Sequence, residues 1–338
     1  EVEYPFMGIE TAFMAKKKCG PGGVVALLAE YDALPGIGHG CGHNLHGTLS
    51  VYAGLALARA VEKTGGEVWV VGTPAEETDG AKVPMAREGV FDGADLAMML
   101  HSNAGKSFVD MRVLAIEAFE FVFKGRTAHS AAAPWDGISA LNALRLFLNA
   151  VDMLRLHLRP TSRVHAVVSE GGTAPNIIPD RAACFVEARS PRLEGVDELF
   201  GFIFDCARGA ATATRTSVEW RQAAQPFVDL RPNPPAEELA REMLEAYGFP
   251  CVPGPGAEGS SDVGNISARC PVIHPMMDIT GRPVTIHTHE FAQATFAPEA
   301  HDALLRGSKA LASIGLAVLS DPAQRDRLRA AFLNRDRY

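Results

Sequence analysis

The sequence predicts an α/β protein: a mostly parallel sheet with helices on both faces, into which a small α+β domain of ferredoxin-like order is inserted. Three observations carry this expectation. Strand-sized apolar runs alternate with helix-sized stretches at the start of the chain, the middle switches to alternating, half-exposed strands, and the end returns to the first style. At 338 residues the chain also exceeds the size at which a single core stops growing, which favours two domains.

In order, Gly22 to Glu30 reads as a buried strand that runs into a Gly-rich loop and a helix over Asn44 to Glu62. Glu67 to Gly72 is a second strand, Ala81 to Glu88 a helix, and Asp95 to Leu100 a third, short strand. Ala115 to Lys124 alternates as a half-exposed strand, and Gly137 to Leu158 carries apolar residues at helical spacing. Strands over Arg163 to Glu170 and Arg181 to Arg189, a helix over Val196 to Ala211 and a strand over Ser217 to Arg221 complete a β-α-β-β-α-β order. The Pro-rich stretch from Pro226 to Pro235 reads as a linker, after which a helix (Ala236 to Tyr247), a β-rich run (Pro271 to Asp278) and long C-terminal helices follow. The expected division is a discontinuous core domain, 1–111 and 223–338, with 112–222 inserted.

Composition narrows the function classes. Hydrophobic residues at 47% and charged residues at 21% are those of an ordinary folded protein, and a formal net charge of -8 argues against nucleic acid as a partner. Apolar runs such as Val24 to Ala29 are far shorter than the roughly 20 residues that cross a bilayer, so no membrane partner is expected. The six cysteines are scattered without a close-spaced framework, which suits a reducing compartment and a cytoplasmic location. Because the chain opens on Glu1 and runs almost directly into a strand, further residues are expected upstream.

Polar residues at strand ends mark the candidate site. Gly36 to Asn44 spells G-I-G-H-G-C-G-H-N, in which Cys41 and His43 can turn toward one centre, while Asn44 reads as an N-cap of a helix whose positive end favours a Cys41 thiolate. The loop equally fits a turn with a buried cysteine and a surface histidine, or a nucleophilic Cys41 with a histidine as its base. His39 reads as loop support or as exposed, and His46 as pocket-lining or as an exposed first-turn histidine. In T-P-A-E-E, Thr73 to Glu77, neighbouring side chains diverge, so one acid can bind a cation while the other shuttles a proton. Alone, such a pair also fits a solvated surface, and a strand-ending His101 fits a hydrogen-bonded core histidine. What tips the balance is position: Asp32, Glu76 with Glu77, and His101 end three strands at the carboxyl edge of one sheet, where ligands bind in open α/β sheets.

At these residues the sequence resembles the M20 metallopeptidase family, within it the amidohydrolase subgroup that contains aminobenzoyl-glutamate hydrolase and β-alanyl-lysine-type dipeptidases. The motifs are E-Y-D-A-L-P (Glu30 to Pro35), G-H-G-C-G-H-N (Gly38 to Asn44), G-T-P-A-E-E (Gly72 to Glu77) and the strand-ending His101. G-x-x-x-H-S-A (Gly125 to Ala131), G-G-T-A-P-N-I-I-P-D (Gly171 to Asp180), S-D-V-G-N-I-S (Ser261 to Ser267) and I-H-T-H-E-F (Ile286 to Phe291) complete the set. The resemblance implies a phosphorylase/hydrolase-like catalytic domain and an inserted lid and dimerisation domain. It further implies two divalent metal ions, zinc or manganese, with Cys41 bridging them and His43, Glu77, His101 and His287 completing the coordination. Glu76 is then the general base, and Asp32 orients a ligand from behind. His287 is favoured over His289 because the family ligand lies four positions before the aromatic Phe291.

In the inserted domain, His129 matches a family histidine that reaches across a dimer interface to stabilise an oxyanion, and Asn176 matches a position near the substrate. Arg189 pairs either with a substrate carboxylate or with another acid of the sheet. The implied partners are a small-molecule amide or dipeptide and a second copy of the chain. The implied activity is hydrolysis of an amide bond in an N-acyl amino acid, a dipeptide or an aminobenzoyl-glutamate-like compound. A rival from another class is a catalytically inactive relative kept as a binding or regulatory subunit, against which the intact set of ligand types and Glu76 speaks.

Overall fold

The structure is a computed structural model that describes residues 1–257 and 259–335. It opens with two strands not expected from the sequence, β1 (Val2–Glu3) and β2 (Phe13–Cys19), followed by β3 (Val24–Ala29), α1 (His43–Thr64), β4 (Gly66–Gly72), α2 (Lys82–Arg87), β5 (Leu96–Met98) and β6 (His101–Asn103). Then come β7 (Ala115–Lys124), α3 (Ala140–Leu154), β8 (Arg163–Glu170), β9 (Arg181–Ser190), α4 (Leu193–Thr214) and β10 (Ser217–Gln222). The chain closes with α5 (Pro234–Ala246), α6 (Val263–Ser267), β11 (Val272–Ile273), β12 (Met276–Asp278), α7 (His289–Ala294), α8 (Pro298–Ser320) and α9 (Pro322–Leu333).

Two compact units result. The first comprises Glu1–Val113 and the described residues from Leu230 onward; the second is Leu114–Asp229. The second unit therefore runs past the expected boundary at 222, into the stretch read as a linker, because Phe227 pairs with Ile116 on β7.

In the first unit a six-stranded sheet has the order β1-β2-β4-β3-β5-β11. β3 pairs in parallel with β4 and β5, and β11 in parallel with β5, whereas β2 runs antiparallel to β4 and β1 antiparallel to β2. The continuous apolar run of β3 follows from this central place. Val25, Leu27 and Ala29 enter one core with α1 and α8, while Ala26 and Leu28 enter another with α2 and α6, so both faces need apolar side chains. Burying each large aliphatic chain contributes about 1.5–3 kcal/mol.

α1 carries Leu45, Leu49, Ala53, Leu57 and Val61 on one stripe, the spacing of a helix laid on a sheet. It approaches β3 closely because residue 47 is glycine: a Cβ there would stand 2.0 Å from the carbonyl oxygen of Glu30. That contact draws the start of α1 against the carboxyl end of β3. α8 is by length and composition long and apolar enough to cross a membrane. Its Ala303, Ala310, Leu311, Ile314 and Val318 are buried in the core with α1.

Taken by itself, the second unit is an antiparallel sheet of order β10-β7-β9-β8 with α3 and α4 packed on it. Phe121, Phe123, Phe147 and Phe200 form its aromatic core.

Candidate metal centre

The candidate donors of the first unit lie at or beside the ends of its strands and helices. Glu30 and Asp32 follow β3, Glu76 and Glu77 follow β4, and Cys41 and His43 bracket the start of α1. His101 does not close the third strand as expected; the chain breaks after β5 and His101 starts β6, which pairs with β12 in a separate small sheet. The N-cap of α1 is Gly42, in the left-handed region at φ 77, and it makes no side-chain cap bond. Asn44 is thus not the cap: its amide donates to the Thr295 hydroxyl at 3.1 Å. Ala75 (φ 64) and His287 (φ 62) also adopt left-handed backbone, a conformation that costs non-glycine residues about 1–3 kcal/mol and concentrates at functional sites. The His287 amide is fixed there by donating to the Gly40 carbonyl at 2.8 Å.

These loops bring the donors together. Cys41 Sγ lies 3.3 Å from His287 Nε2 and 3.5 Å from His101 Nε2, and His287 Nε2 lies 3.3 Å from Glu77 Oε1. His43, Glu76 and Glu77 each offer a ligand atom within 4.8 Å of the others. His43 Nδ1 faces Asp32 Oδ1 at 3.0 Å, and the second oxygen of Asp32 accepts the backbone N–H of Glu77 at 3.1 Å. One carboxylate therefore ties the loop after β4 to the start of α1. His289 begins α7 and is exposed; His287 is the histidine that meets Cys41 and Glu77.

The donor set fits divalent metal. Ligands about 2.0–2.3 Å from a tetrahedral ion stand roughly 3.3–3.8 Å apart, the spacing found here. His43 Nε2 and Glu77 Oε1 are buried without a hydrogen-bond partner among the described residues. Burial, with Glu77 and Glu76 nearby, pushes the Cys41 thiol well above its ordinary range, contrary to the expected help from the helix end, so a thiolate at this spot calls for a cation.

Behind these donors lies a charged cluster that the sequence did not reveal. Glu30 and Lys82 are fully buried and paired at 2.5 Å, and Lys82 also donates to Asp262 at 2.7 Å. His46 is fully buried, not exposed, with Nε2 3.3 Å from Glu30 Oε2. His274 is also buried, its ring 5.3 Å from that of His101 and both nitrogens without a hydrogen bond among the described residues. Burial and the carboxylates of Glu30 and Asp262 push Glu76 up to about 8, against the pull of Lys82 and a hydrogen bond from the Ser261 hydroxyl. His39 is half-buried and turned to the backbone of Asp32.

The other candidates belong to the second unit. His129 and Asn176 sit on adjoining exposed loops, joined by the Ser130 N–H donating to the Asn176 carbonyl at 3.0 Å. His129 Nδ1 accepts the backbone N–H groups of Ala131 and Ala132, at 3.2 and 3.1 Å. A neutral His129 accordingly carries its proton on Nε2. Arg189 pairs with an acid of its own strand, Glu187, at 2.8 Å.

Comparison with known proteins agrees with this architecture. Residues 26–314 match the profile of peptidase family M20/M25/M40. The mouse Xaa-Arg dipeptidase is 34% identical over 97% of this chain and 79% of its own length. One of the p-aminobenzoyl-glutamate hydrolase subunits of Escherichia coli is 35% identical over 67% of this chain and 51% of its own length. Among solved structures, a dinuclear metal binding peptidase of the M20 family from Bacillus subtilis superposes with a TM-score of 0.72 at 21% identity. It covers 94% of this chain and 88% of that one, a likeness that speaks to the fold.

Proposed function

The chain belongs to peptidase family M20/M25/M40, and on that premise we propose that it is a metal-dependent amidohydrolase whose substrate amide lies beside a free carboxylate. The single observation that carries the proposal is the meeting of Cys41, His43, Glu77, His101 and His287 on one rim, with Glu76 beside them. Relatives named for an Xaa-Arg dipeptide and for aminobenzoyl-glutamate support a dipeptide or an N-acyl amino acid as substrate.

Cys41, His43, Glu77, His101 and His287 would hold two divalent ions, zinc or manganese. When bound, such ions acidify a water and polarise the amide carbonyl. Glu76 takes the proton from the attacking water and returns it to the leaving amine, its carboxylate positioned by a hydrogen bond from the Ser261 hydroxyl. Asp32 accepts from His43 Nδ1 and so keeps the Nε2 lone pair free for the ion. In the second unit, the Nε2–H of His129 would serve a second copy's site as the donor for the developing oxyanion, and Asn176, on the adjoining loop, would bind the substrate. The unit serves as lid and dimerisation domain. A homodimer is supported by β8, the last strand of its sheet among the described residues, where Val167 and Val168 are exposed. A cytoplasmic location is supported by six free cysteines.

The deciding experiment is a screen of dipeptides, N-acyl amino acids and aminobenzoyl-glutamate with chelated and metal-restored protein. Turnover that vanishes on chelation, returns with manganese or zinc, and is lost in Glu76→Gln at unchanged metal content is expected; full turnover of metal-free protein would exclude the mechanism. Sedimentation of a monomer with full activity would remove the dimer and the role of His129.

A further inference from the structure

Lys82 stands out among the buried side chains. It is fully buried at the first position of α2, where a lysine ordinarily faces solvent, and two acids distant in sequence close on it. Its ammonium meets Glu30 Oε1 at 2.5 Å and Asp262 Oδ1 at 2.7 Å, and its backbone N–H donates to Asp262 Oδ2 at 3.1 Å. Burial disfavours its charge, but Asp262, Glu30 and Glu76 outweigh that and hold it protonated.

Each acid leads on to the candidate centre. Glu30, ion-paired to Lys82 through one oxygen, turns the other to His43 Nε2 at 3.5 Å and His46 Nε2 at 3.3 Å, and neither oxygen has a hydrogen-bond partner among the described residues. Asp262, held at both oxygens, fixes the entry to α6, where the neighbouring Ser261 hydroxyl accepts from the Val263 N–H and donates to Glu76. Glu30, Glu76 and Asp262 offer oxygens within 4.8 Å of one another, a packing of three acids that an unopposed cluster does not hold.

We propose that Lys82 is a positioning residue of the hydrolytic centre: one ammonium fixes Glu30 against the ligand side, at His43 and His46, and Asp262 with Ser261 against the base, Glu76. Lys82 touches neither substrate nor metal; it acts through these two acids. The assignment rests on the hydrolase reading above and adds to it a residue that lies outside the ligand and base set.

The test compares wild type, Lys82→Met and Lys82→Met/Asp262→Asn as holoenzymes, reading melting temperature, metal affinity by competition with a chromophoric chelator, and kcat and KM at saturating metal. The double variant removes one buried acid along with the ammonium, while an asparagine at 262 still accepts the backbone N–H of residue 82. Its melting temperature is expected to return most of the way to wild type, while Glu30 stays unpinned. Metal affinity and kcat are then expected to remain down about 10–100-fold, with KM within about threefold of wild type, the range for removing a group that orients ligands from behind. The proposal is overturned if the double variant regains wild-type kcat and metal affinity together with its melting temperature, since Lys82 would then serve folding alone. It is equally overturned if Lys82→Met binds metal and turns over like wild type. Wild-type protein without metal-dependent turnover is a different failure, that of the hydrolase reading itself.

Discussion

Asp32 offers an inversion of the usual order of conservative substitutions. Its carboxyl is raised by burial but held below the usual range by the bonds from His43 and from the Glu77 N–H, so it is an acceptor at both oxygens. His43 Nδ1 must then carry the proton, which leaves Nε2 as the ligand atom. An asparagine at 32 has only one acceptor. The Glu77 N–H is a fixed donor and claims it, which aims the amide NH2 at His43 Nδ1 and forces the proton onto Nε2, where it blocks the ion. Alanine merely opens both partners to water. Losing one charge-assisted bond costs about 1.5–3 kcal/mol, or roughly 10–100-fold in affinity, and forcing the wrong tautomer adds to this, with up to roughly 10⁴ in kcat. Metal affinity is therefore expected to fall about tenfold to a hundredfold in Asp32→Ala and further in Asp32→Asn, measured by competition with a chromophoric chelator and by metal content after dialysis. An Asp32→Asn protein that binds metal better than Asp32→Ala would refute the tautomer reasoning.

Other expectations follow from single contacts. Chelation is expected to lower the melting temperature, because an ion at about 100 times its dissociation constant stabilises the folded state by about 2.7 kcal/mol; an unchanged melting curve with metal demonstrably removed would contradict a buried ion site. Gly47→Ala would drive a Cβ to 2.0 Å from the Glu30 carbonyl oxygen, so α1 must lift off β3; a loss of about 3 kcal/mol or more in denaturant unfolding, with weakened metal binding, is expected. Phe147→Ala empties the aromatic core of the second unit beside Phe121 and Phe123 and is expected to cost about 3–5 kcal/mol in denaturant unfolding, whereas a loss under about 1 kcal/mol would mean that the core collapses to fill the gap.

Much of the first unit could be read along the chain, because a strand buried on both faces announces itself as an unbroken apolar run and its end as the first polar residue. β3 and β4 fall within a residue or two of their expected bounds for that reason. β2 escaped notice because Lys16, Lys17 and Lys18 interrupt its apolar pattern. Pairing antiparallel with β4 satisfies its backbone, and the lysines lean outward, Lys18 to Glu67 and Lys16 over the ring of Trp69. α1 was located, but its cap was not: Gly42 needs a left-handed backbone to turn the chain beneath Ser102, a contact from far along the sequence that Asn44 could not disclose.

By itself the sequence determined that carboxylates follow β3 and β4 and that a thiol and an imidazole stand at the start of α1, since polar residues beside apolar runs are local facts. Only the tertiary structure decided which atoms of those donors face one another, that His46 and His274 lie in the interior, and that Lys82 is a buried cation. The reason is electrostatic. A charged side chain enters the interior only where opposite charges meet it, and those on Lys82 come from Glu30 at the end of β3 and from Asp262, 180 residues away. No window of sequence around Lys82 contains either acid, so its burial became legible only once β3, α2 and α6 had come together.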